Sequence, residues 1–173
     1  MDHIFLKKCL SYNKETGVFR WKLKNSNRIK VGDIAGNISK TTGYIYIRIN
    51  KKLYPAHRLA WIYVNKNKPK YFIDHINGDK LDNRFINLRE ATNSQNKMNA
   101  GKHIDNTSGY VGVFFERRIK KWRSQIHVNG KRLQLGCFKN PVSAAMEYDL
   151  AAKKHHGKFA RLNFPEVQNR KAK

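Results

Sequence analysis

Cysteine is scarce in this sequence. There are 2 cysteines in 173 residues, and Cys9 and Cys137 belong to no C-x-x-C pair. A zinc ribbon or finger needs closely spaced cysteine and histidine ligands and is therefore excluded, and a disulfide framework is disfavoured. We expect two free thiols in a reducing compartment.

Acidic residues are also few. The chain has 12 Asp and Glu against 36 Lys and Arg, which gives a formal net charge of +24. Residues 1–105 hold 21 basic and 8 acidic side chains and residues 106–173 hold 15 and 4, so both halves are basic. The expected partner is a polyanion, with nucleic acid first and an anionic membrane surface second.

Long apolar runs are missing as well. No stretch is long enough to span a bilayer, and the apolar run in residues 1–8 is too short for a signal peptide. We therefore expect a cytoplasmic protein, or one that acts wherever its DNA lies. Hydrophobic residues still make up 40% of the 173, which is enough for the cores of one or two small domains.

The first hundred residues show short strand and helix patterns. The sequence predicts a helix over 4–12, a strand over 18–23, a hairpin of 44–49 with 52–54, and a helix over 57–64. A second group follows: a strand over 71–74, a return strand over 86–89, and a helix from a capping box at Thr92 to about residue 100.

Four polar residues of this second group suit phosphodiester hydrolysis: Asp74, His75, Asn87 and Asn96. Asp74 ends a strand and His75 starts a loop, so one can bind a divalent metal while the other takes a proton from water. Asn96 could give the metal a second oxygen, and Asn87, across the hairpin, could orient His75 by a hydrogen bond. From spacing alone, an ordinary Asn-Gly-Asp turn beside a chance Asp-His pair remains open.

Residues 57–100 resemble the His-Asn-His nuclease superfamily, the ββα-metal fold, in the form found in phage homing endonucleases. The resemblance is carried by Asp74-His75, Asn77-Gly78-Asp79, Asp82-Asn83, Asn87-Leu88-Arg89 and Asn96. It implies that His75 is the general base, that Asp74 and Asn96 bind the metal, and that Asn87 orients the base. Asn96 stands where many members carry histidine, which favours magnesium or manganese over a softer metal.

The resemblance extends more weakly to two neighbouring regions. His57, followed by Arg58, recurs in this subgroup and lies either near the site or at a helix start in a packing role. Residues 10–56 resemble the β-rich leader that often precedes such nucleases.

The C-terminal third predicts three strands and a helix. The strands cover 110–116, 122–128 and 133–138, and Asn129-Gly130 is a strong hairpin signal. Asn140-Pro141 begins the helix and Gly157 ends it. The positions expected to repeat along one helix face are Ala144, Tyr148, Ala151, Ala152 and His155. We expect His155-His156 to interact with the helix dipole rather than to bind a metal.

Alternation along these strands separates an apolar face from a polar one. Trp122, Ser124, Ile126 and Val128 share a face, as do Leu133 and Leu135 on the next strand. The opposite face is polar and could contact DNA; its candidate residues are Lys121, Arg123, Gln125, His127, Arg132 and Gln134. An ordinary solvated sheet face is the alternative.

Residues 108–165 resemble the Apetala/ethylene-response-factor DNA-binding domain. The matching residues are Ser108-Gly109-Tyr110, Gly112-Val113, Lys121-Trp122, Ile126, Leu135-Gly136, Phe138, Ala144-Ala145, Tyr148-Asp149, Ala151-Ala152 and Leu162-Asn163-Phe164-Pro165. The family lays such a sheet in the major groove. Positions that read DNA in plant members hold Val111, Phe114, Glu116 and Gln134 here, so no sequence preference is carried over.

Together these patterns predict an α+β protein with five segments. They are a β-rich leader (1–56), a ββα-metal nuclease module (57–100), a linker (101–107), a DNA-binding domain (108–166) and a tail (167–173). The expected activity is magnesium- or manganese-dependent cleavage of double-stranded DNA by a homing-type endonuclease in the cytoplasm of a bacterial or phage-infected cell. No protein partner is evident. A non-catalytic DNA-binding regulator and an RNA nuclease are the alternatives.

Overall fold

The computed structural model describes residues 1–24, 26 and 28–165. The predicted tail at 167–173 lies outside the described residues. The chain forms two compact units, Met1–Asn93 and Ser94–Lys173. Both combine helices with small antiparallel sheets, which confirms the expected α+β class. Within the described residues, no helix is long and apolar enough to cross a membrane.

The described residues of the first unit form two helices, seven strands and one 3-10 turn. The helices are α1 (His3–Cys9) and α2 (Ala56–Asn65). The strands are β1 (Leu10–Tyr12), β2 (Phe19–Trp21), β3 (Asn37–Ile38), β4 (Ile45–Ile49), β5 (Lys52–Pro55), β6 (Phe72–His75) and β7 (Leu88–Ala91). They pair as β1-β2, β3-β4-β5 and β6-β7. The helix α3 (Asn93–Met98) starts at the end of this unit.

One hydrophobic core joins the predicted leader to the predicted nuclease module. Leu6 and Leu10 from the first residues, Ile47 from β4 and Leu59 from α2 are at most 1% exposed and belong to one cluster. The same cluster includes Leu88 of β7. Burial of each such side chain stabilises the fold by about 1.5–3 kcal/mol. The leader is therefore part of the framework that carries β6 and β7.

The β4-β5 hairpin confirms its turn prediction. Asn50 and Lys51 have φ angles of 46° and 64°, which is the left-handed geometry of a two-residue hairpin turn. Arg48 pairs with Leu53 and Ile49 with Lys52. The helix α2 follows directly, so this hairpin fixes the position of His57 in its first turn.

The β6-β7 hairpin places Asp74 opposite Arg89 and His75 opposite Leu88. The return strand, predicted over 86–89, begins at Leu88, because Phe85–Asn87 forms a 3-10 turn. In that turn the Asn87 N–H donates to the Arg84 carbonyl over 2.9 Å. The sequence therefore predicted the hairpin but not the 3-10 turn that precedes its second strand.

The second unit contains a three-stranded sheet and a long helix. Its strands are β8 (Val113–Glu116), β9 (Lys121–Val128) and β10 (Lys131–Phe138), with β9 in the centre. Asn129 and Gly130, with φ of 50° and 78°, make the predicted tight turn. The helix is α4 (Pro141–His156), and the Asn140 side chain caps it by accepting from the Ser143 N–H over 2.8 Å.

The apolar sheet face packs on α4, except that Leu133, which was predicted to lie on this face, is exposed. Ala144, Tyr148 and Ala152 are at most 5% exposed, and the ring of Tyr148 lies so close to Gly112 that a Cβ there would stand 2.1 Å from it. The prediction for the end of the helix is wrong by one position. His155 is exposed, whereas His156 is buried and its Nε2 lies 2.8 Å from the His127 carbonyl oxygen. Contact with β9, rather than the helix dipole alone, holds this histidine.

Candidate functional site

Asp74 lies at the end of β6 with its carboxylate against Arg89. Nε and one terminal nitrogen of Arg89 each lie 2.8 Å from Asp74 Oδ2, and Asp74 is 6% exposed. The pairing follows from strand register, because Asp74 and Arg89 are directly opposite on the antiparallel strands. The predicted metal ligand is thus a buried carboxylate with a guanidinium as its neighbour.

His75 is the next residue and is more deeply buried, at 4% exposure. Its Nε2 lies 3.2 Å from Oδ1 of Asn83. Burial lowers the pKa of His75, while the hydrogen bond to Asn83 and the charge of Asp74 oppose this shift. The imidazole is therefore neutral at pH 7, which is the state in which it can accept a proton.

Asn87 does not make the contact with His75 that the sequence predicted. Its Oδ1 accepts from the Asn77 N–H over 3.0 Å, and its Nδ2 donates to Asn77 Oδ1 over 2.9 Å and to the Asp82 carbonyl over 2.8 Å. A 3-10 turn presents this side chain to the loop between the strands. Asn87 therefore fastens the loop that follows His75, and Asn83 is the residue that bonds the imidazole.

Aromatic rings from the leader and α2 contact His75. The ring centroid of His57 lies 5.1 Å from that of His75, and the ring of Tyr44 lies 4.9 Å from His57 and 5.8 Å from His75. Burial, with smaller effects of His75 and Arg58, lowers the pKa of His57 to about 3. Among the residues that the structure describes, its Nδ1 is buried without a hydrogen-bond partner. His57 thus contacts the candidate base from the first turn of α2, and Arg58 is the next residue of that turn.

Asn96 lies in α3 and is exposed. The division between the two units falls just before this helix residue, after Asn93. Its role as a second metal ligand stays a prediction. Within the described residues, no group of three or more His, Cys, Asp or Glu side chains is placed to hold a metal ion.

The polar face of the second unit forms rows across its three strands. Arg132 pairs with His127, Gln134 with Gln125, and Cys137 with Arg123. Gln134 Nε2 donates to Gln125 Oε1 over 3.3 Å. On the other side, Phe114 pairs with Arg123 and Glu116 with Lys121.

Arg123 is held within this face by two contacts from β8. A terminal nitrogen of Arg123 lies 3.6 Å from Glu116 Oε2, and its guanidinium carbon is 6.0 Å from the Phe114 ring centroid. The exposed side chains Lys121, His127, Arg132 and Gln134 are more accessible. The face is therefore polar and basic, and it includes all six predicted DNA-contacting residues.

Residues 54–98 match the profile of the HNH endonuclease family. The chain thus carries an HNH endonuclease domain, which includes Asp74, His75, Asn87 and Asn96. It is also 32% identical over 116 residues to protein 3.8 of Escherichia phage T7, an alignment that covers 65% of this chain and 95% of that protein. The chain belongs to the same family as that phage protein.

Other relatives match a shorter part of the chain. Identity is 48% over 63 residues with the dehydration-responsive element-binding protein 2C of Arabidopsis thaliana, covering 35% of this chain and 18% of that protein. It is 45% over 58 residues with the AP2-like ethylene-responsive transcription factor TOE2 of the same plant, covering 34% and 12%. The chain thus spans a small part of these plant proteins. No solved structure is significantly similar to it.

Three further residues contact the candidate base or its neighbours, and the sequence pattern did not indicate their roles. Asn83 bonds His75, Arg89 pairs with Asp74, and Tyr44 lies against both histidines. Asn83 and Arg89 stand inside the recognised motif, so their positions were visible although their partners were not. Tyr44 precedes His75 by about thirty residues, and no local sequence pattern links it to the site.

Proposed function

We propose that this protein is a divalent-metal-dependent DNA endonuclease of the homing type. The observation that carries the proposal is His75: a buried imidazole, neutral at pH 7, beside a carboxylate within an HNH endonuclease domain. General-base catalysis needs such a group near operating pH. The cytoplasm of an infected bacterial cell, where phage and host DNA lie, is the inferred place of action.

The side chains fit a hard cation that keeps most of its water ligands. Asp74 offers a carboxylate and Asn96 an amide oxygen, and magnesium is often bound through one or two carboxylates plus water and substrate phosphate. Magnesium or manganese, when bound by Asp74 and Asn96, would supply charge stabilisation for the leaving oxygen. Arg89 would compete with such a cation for Asp74, because its guanidinium already contacts the carboxylate.

His75 performs the proton transfer. It removes a proton from a water molecule as the water oxygen attacks phosphorus, and the bond from phosphorus to the leaving oxygen breaks. Asn87 fixes the loop that follows His75 through its hydrogen bonds to Asn77 and Asp82. The base is therefore attached to a turn of fixed conformation. Exclusion of water by the aromatic rings of Tyr44 and His57 favours the neutral imidazole.

The second unit holds the enzyme on double-stranded DNA. Support comes from its similarity to plant proteins named as element-binding proteins and transcription factors, and from the basic polar face opposite α4. Such a face can contact base edges and phosphates. Because Phe114 and Glu116 engage Arg123, the target preference would differ from that of the plant proteins.

Supercoiled plasmid tests the metal assignment. We expect nicking with magnesium, none with EDTA, and none with Asp74→Ala. Asn96→Asp should retain cleavage, since it keeps a hard oxygen, and Asn96→Ala should lose it. Asn93→Ala, an exposed asparagine of the same helix, is the control.

A non-catalytic DNA-binding regulator is the second candidate, and the Arg89–Asp74 ion pair favours it, because the pair neutralises the carboxylate. Shifted DNA bands without any magnesium-dependent nicking would establish that alternative. Stronger cleavage of duplex RNA than of duplex DNA would instead assign the protein to the RNA nucleases.

A further inference from the structure

The leader contributes a turn that lies against the loop following His75. This turn, residues 12–17, links β1 to β2 and is closed by a hydrogen bond of 2.9 Å from the Gly17 N–H to the Asn13 carbonyl. The Asn13 side chain also accepts from the N–H groups of Glu15 and Thr16, each over 2.9 Å. We call residues 12–17 the leader turn. Its internal bonds make it a fixed element rather than a loose connection.

Three contacts join the leader turn to residues 83–85. The Tyr12 hydroxyl donates to the Asn83 carbonyl over 2.7 Å. The Phe85 N–H donates to the Lys14 carbonyl over 2.9 Å. Gly17 packs so closely that a Cβ there would stand 2.5 Å from the Asn83 carbonyl carbon and from the Arg84 nitrogen. The backbone around Asn83 is therefore held from three directions by residues far away in sequence.

The side chain of Asn83 points from this held backbone to His75. Its Nδ2 donates to the Leu81 carbonyl over 3.3 Å, which orients the amide so that Oδ1 faces His75 Nε2 at 3.2 Å. An amide oxygen only accepts hydrogen bonds, so Nε2 of the neutral ring must carry the hydrogen. The lone pair is then on Nδ1. Asn83 itself is 2% exposed, so water does not replace this bond at low cost.

We propose that the leader turn and Asn83 are a positioning device for the general base. Tyr12 and Gly17 fix the backbone of Asn83, and Asn83 Oδ1 fixes the tautomer and ring orientation of His75, with Nδ1 as the proton acceptor. The proposal rests on the proposed role of His75 in catalysis. The leader then helps to position the catalytic base, in addition to contributing side chains to the hydrophobic core.

Tyr12→Phe is the sharpest variant, because it removes only the hydroxyl. The ring stacking on Phe19, with centroids 4.6 Å apart, is retained. Tyr63→Phe is the matched control: Tyr63 belongs to the same aromatic cluster, 5.6 Å from the Tyr12 ring, whereas the bond to the Asn83 carbonyl comes from Tyr12. We expect Tyr12→Phe to lower kcat roughly three- to tenfold, the effect of one lost hydrogen bond, with KM unchanged. Tyr63→Phe should leave both unchanged.

The tautomer of His75 gives a readout that does not depend on cleavage. In the full-length protein, ring nitrogen shifts in ¹⁵N NMR distinguish a protonated from an unprotonated nitrogen. We expect His75 to carry hydrogen on Nε2 in the native protein and in Asn83→Asp, which keeps an acceptor oxygen. In Asn83→Leu the two tautomers should mix, and cleavage should fall about 10–100-fold, as when other histidine-orienting groups are removed.

Two results would overturn the proposal. One is an unchanged Nε2–H tautomer in Asn83→Leu, and the other is equal kinetics for Tyr12→Phe and Tyr63→Phe. If Asn83→Leu does not fold, Tyr12→Phe and Asn83→Asp still test whether the leader turn and Asn83 position His75. Failure of the proposed function has a different signature: His75→Ala would then cleave like the native protein, while the tautomer measurements would still report on the device.

Discussion

Arg89 and Asn83 are hydrogen-bond partners of the two residues on which the site depends. Arg89 places its guanidinium on Asp74, and Asn83 accepts from the imidazole of His75. Each partner comes from the opposite arm or loop of one hairpin. At this scale the site is a set of paired side chains, in which removing one partner takes a hydrogen bond from a buried polar group.

His57 predicts a pH dependence of stability. Burial lowers its pKa to about 3, against an ordinary value of 6.5 in the unfolded chain. Between these values the unfolded state binds one more proton, so the free energy of unfolding falls as pH drops from 6.5 towards 3, by up to about 1.4 kcal/mol per pH unit. Hydrogen exchange of the α2 amides should show this slope in the native protein and a shallower one in His57→Phe.

The contribution of His57 is complete above pH 6.5 and decreases as pH falls through the window to its folded pKa. His75 is present in both proteins, so the difference between the two slopes isolates His57. Parallel slopes would show that His57 is not held neutral by burial.

The elements show which parts of the fold are encoded locally. The turns at Asn50-Lys51 and Asn129-Gly130 and the cap at Asn140 were predictable, because each depends on residues within a few positions of one another. The 3-10 turn before β7 was not, because it depends on Asn87 bonding back to Asn77. The burial of His156 in place of His155 was also not predictable, because it depends on a contact with the His127 carbonyl on β9.

Gly17 and Gly32 allow a test at the level of the leader turn. Both have positive φ, +74° and +92°, so alanine strains the backbone at either position. Of these two, Gly17 is the one whose new Cβ would meet neighbouring backbone, 2.5 Å from the Arg84 nitrogen; at Gly32 no atom of the described residues lies within 4 Å. Gly17→Ala should therefore reduce cleavage several-fold more than Gly32→Ala, in assays at matched folded concentration. Equal reductions would mean that backbone strain alone explains the effect.

At the scale of the whole chain, both units are basic. We propose that the first carries the general base and that the second binds DNA. The HNH endonuclease domain could be predicted from sequence, because its motif is compact, whereas the catalytic roles of its residues stay predictions. The structural role of the leader could not be predicted, since Leu6, Ile47 and Leu88 meet in one core only after folding. The excess of basic residues in both halves, 36 Lys and Arg overall, predicts that binding to DNA weakens steeply with salt.

The polar sheet face predicts a separation of binding from turnover. Replacing Arg123, Gln125 and Arg132 with alanine should weaken target binding and reduce the salt slope by about 0.9 for each phosphate that the protein no longer neutralises. Turnover at saturating DNA should be unchanged. Lys153→Ala with Lys154→Ala removes the same charge from exposed positions on α4 and is the control. Unchanged footprints for the triple variant would show that this face is not the reader.

The central claim, that His75 is the general base of a metal-dependent DNA endonuclease, is tested most directly by single-turnover cleavage with His75→Ala. The exposed His155→Ala is the control. We expect the His75→Ala rate to be lower by about 10²–10⁴-fold in magnesium, with DNA affinity nearly unchanged, and native rates for His155→Ala. A His75→Ala protein that cuts DNA at the native rate would contradict it.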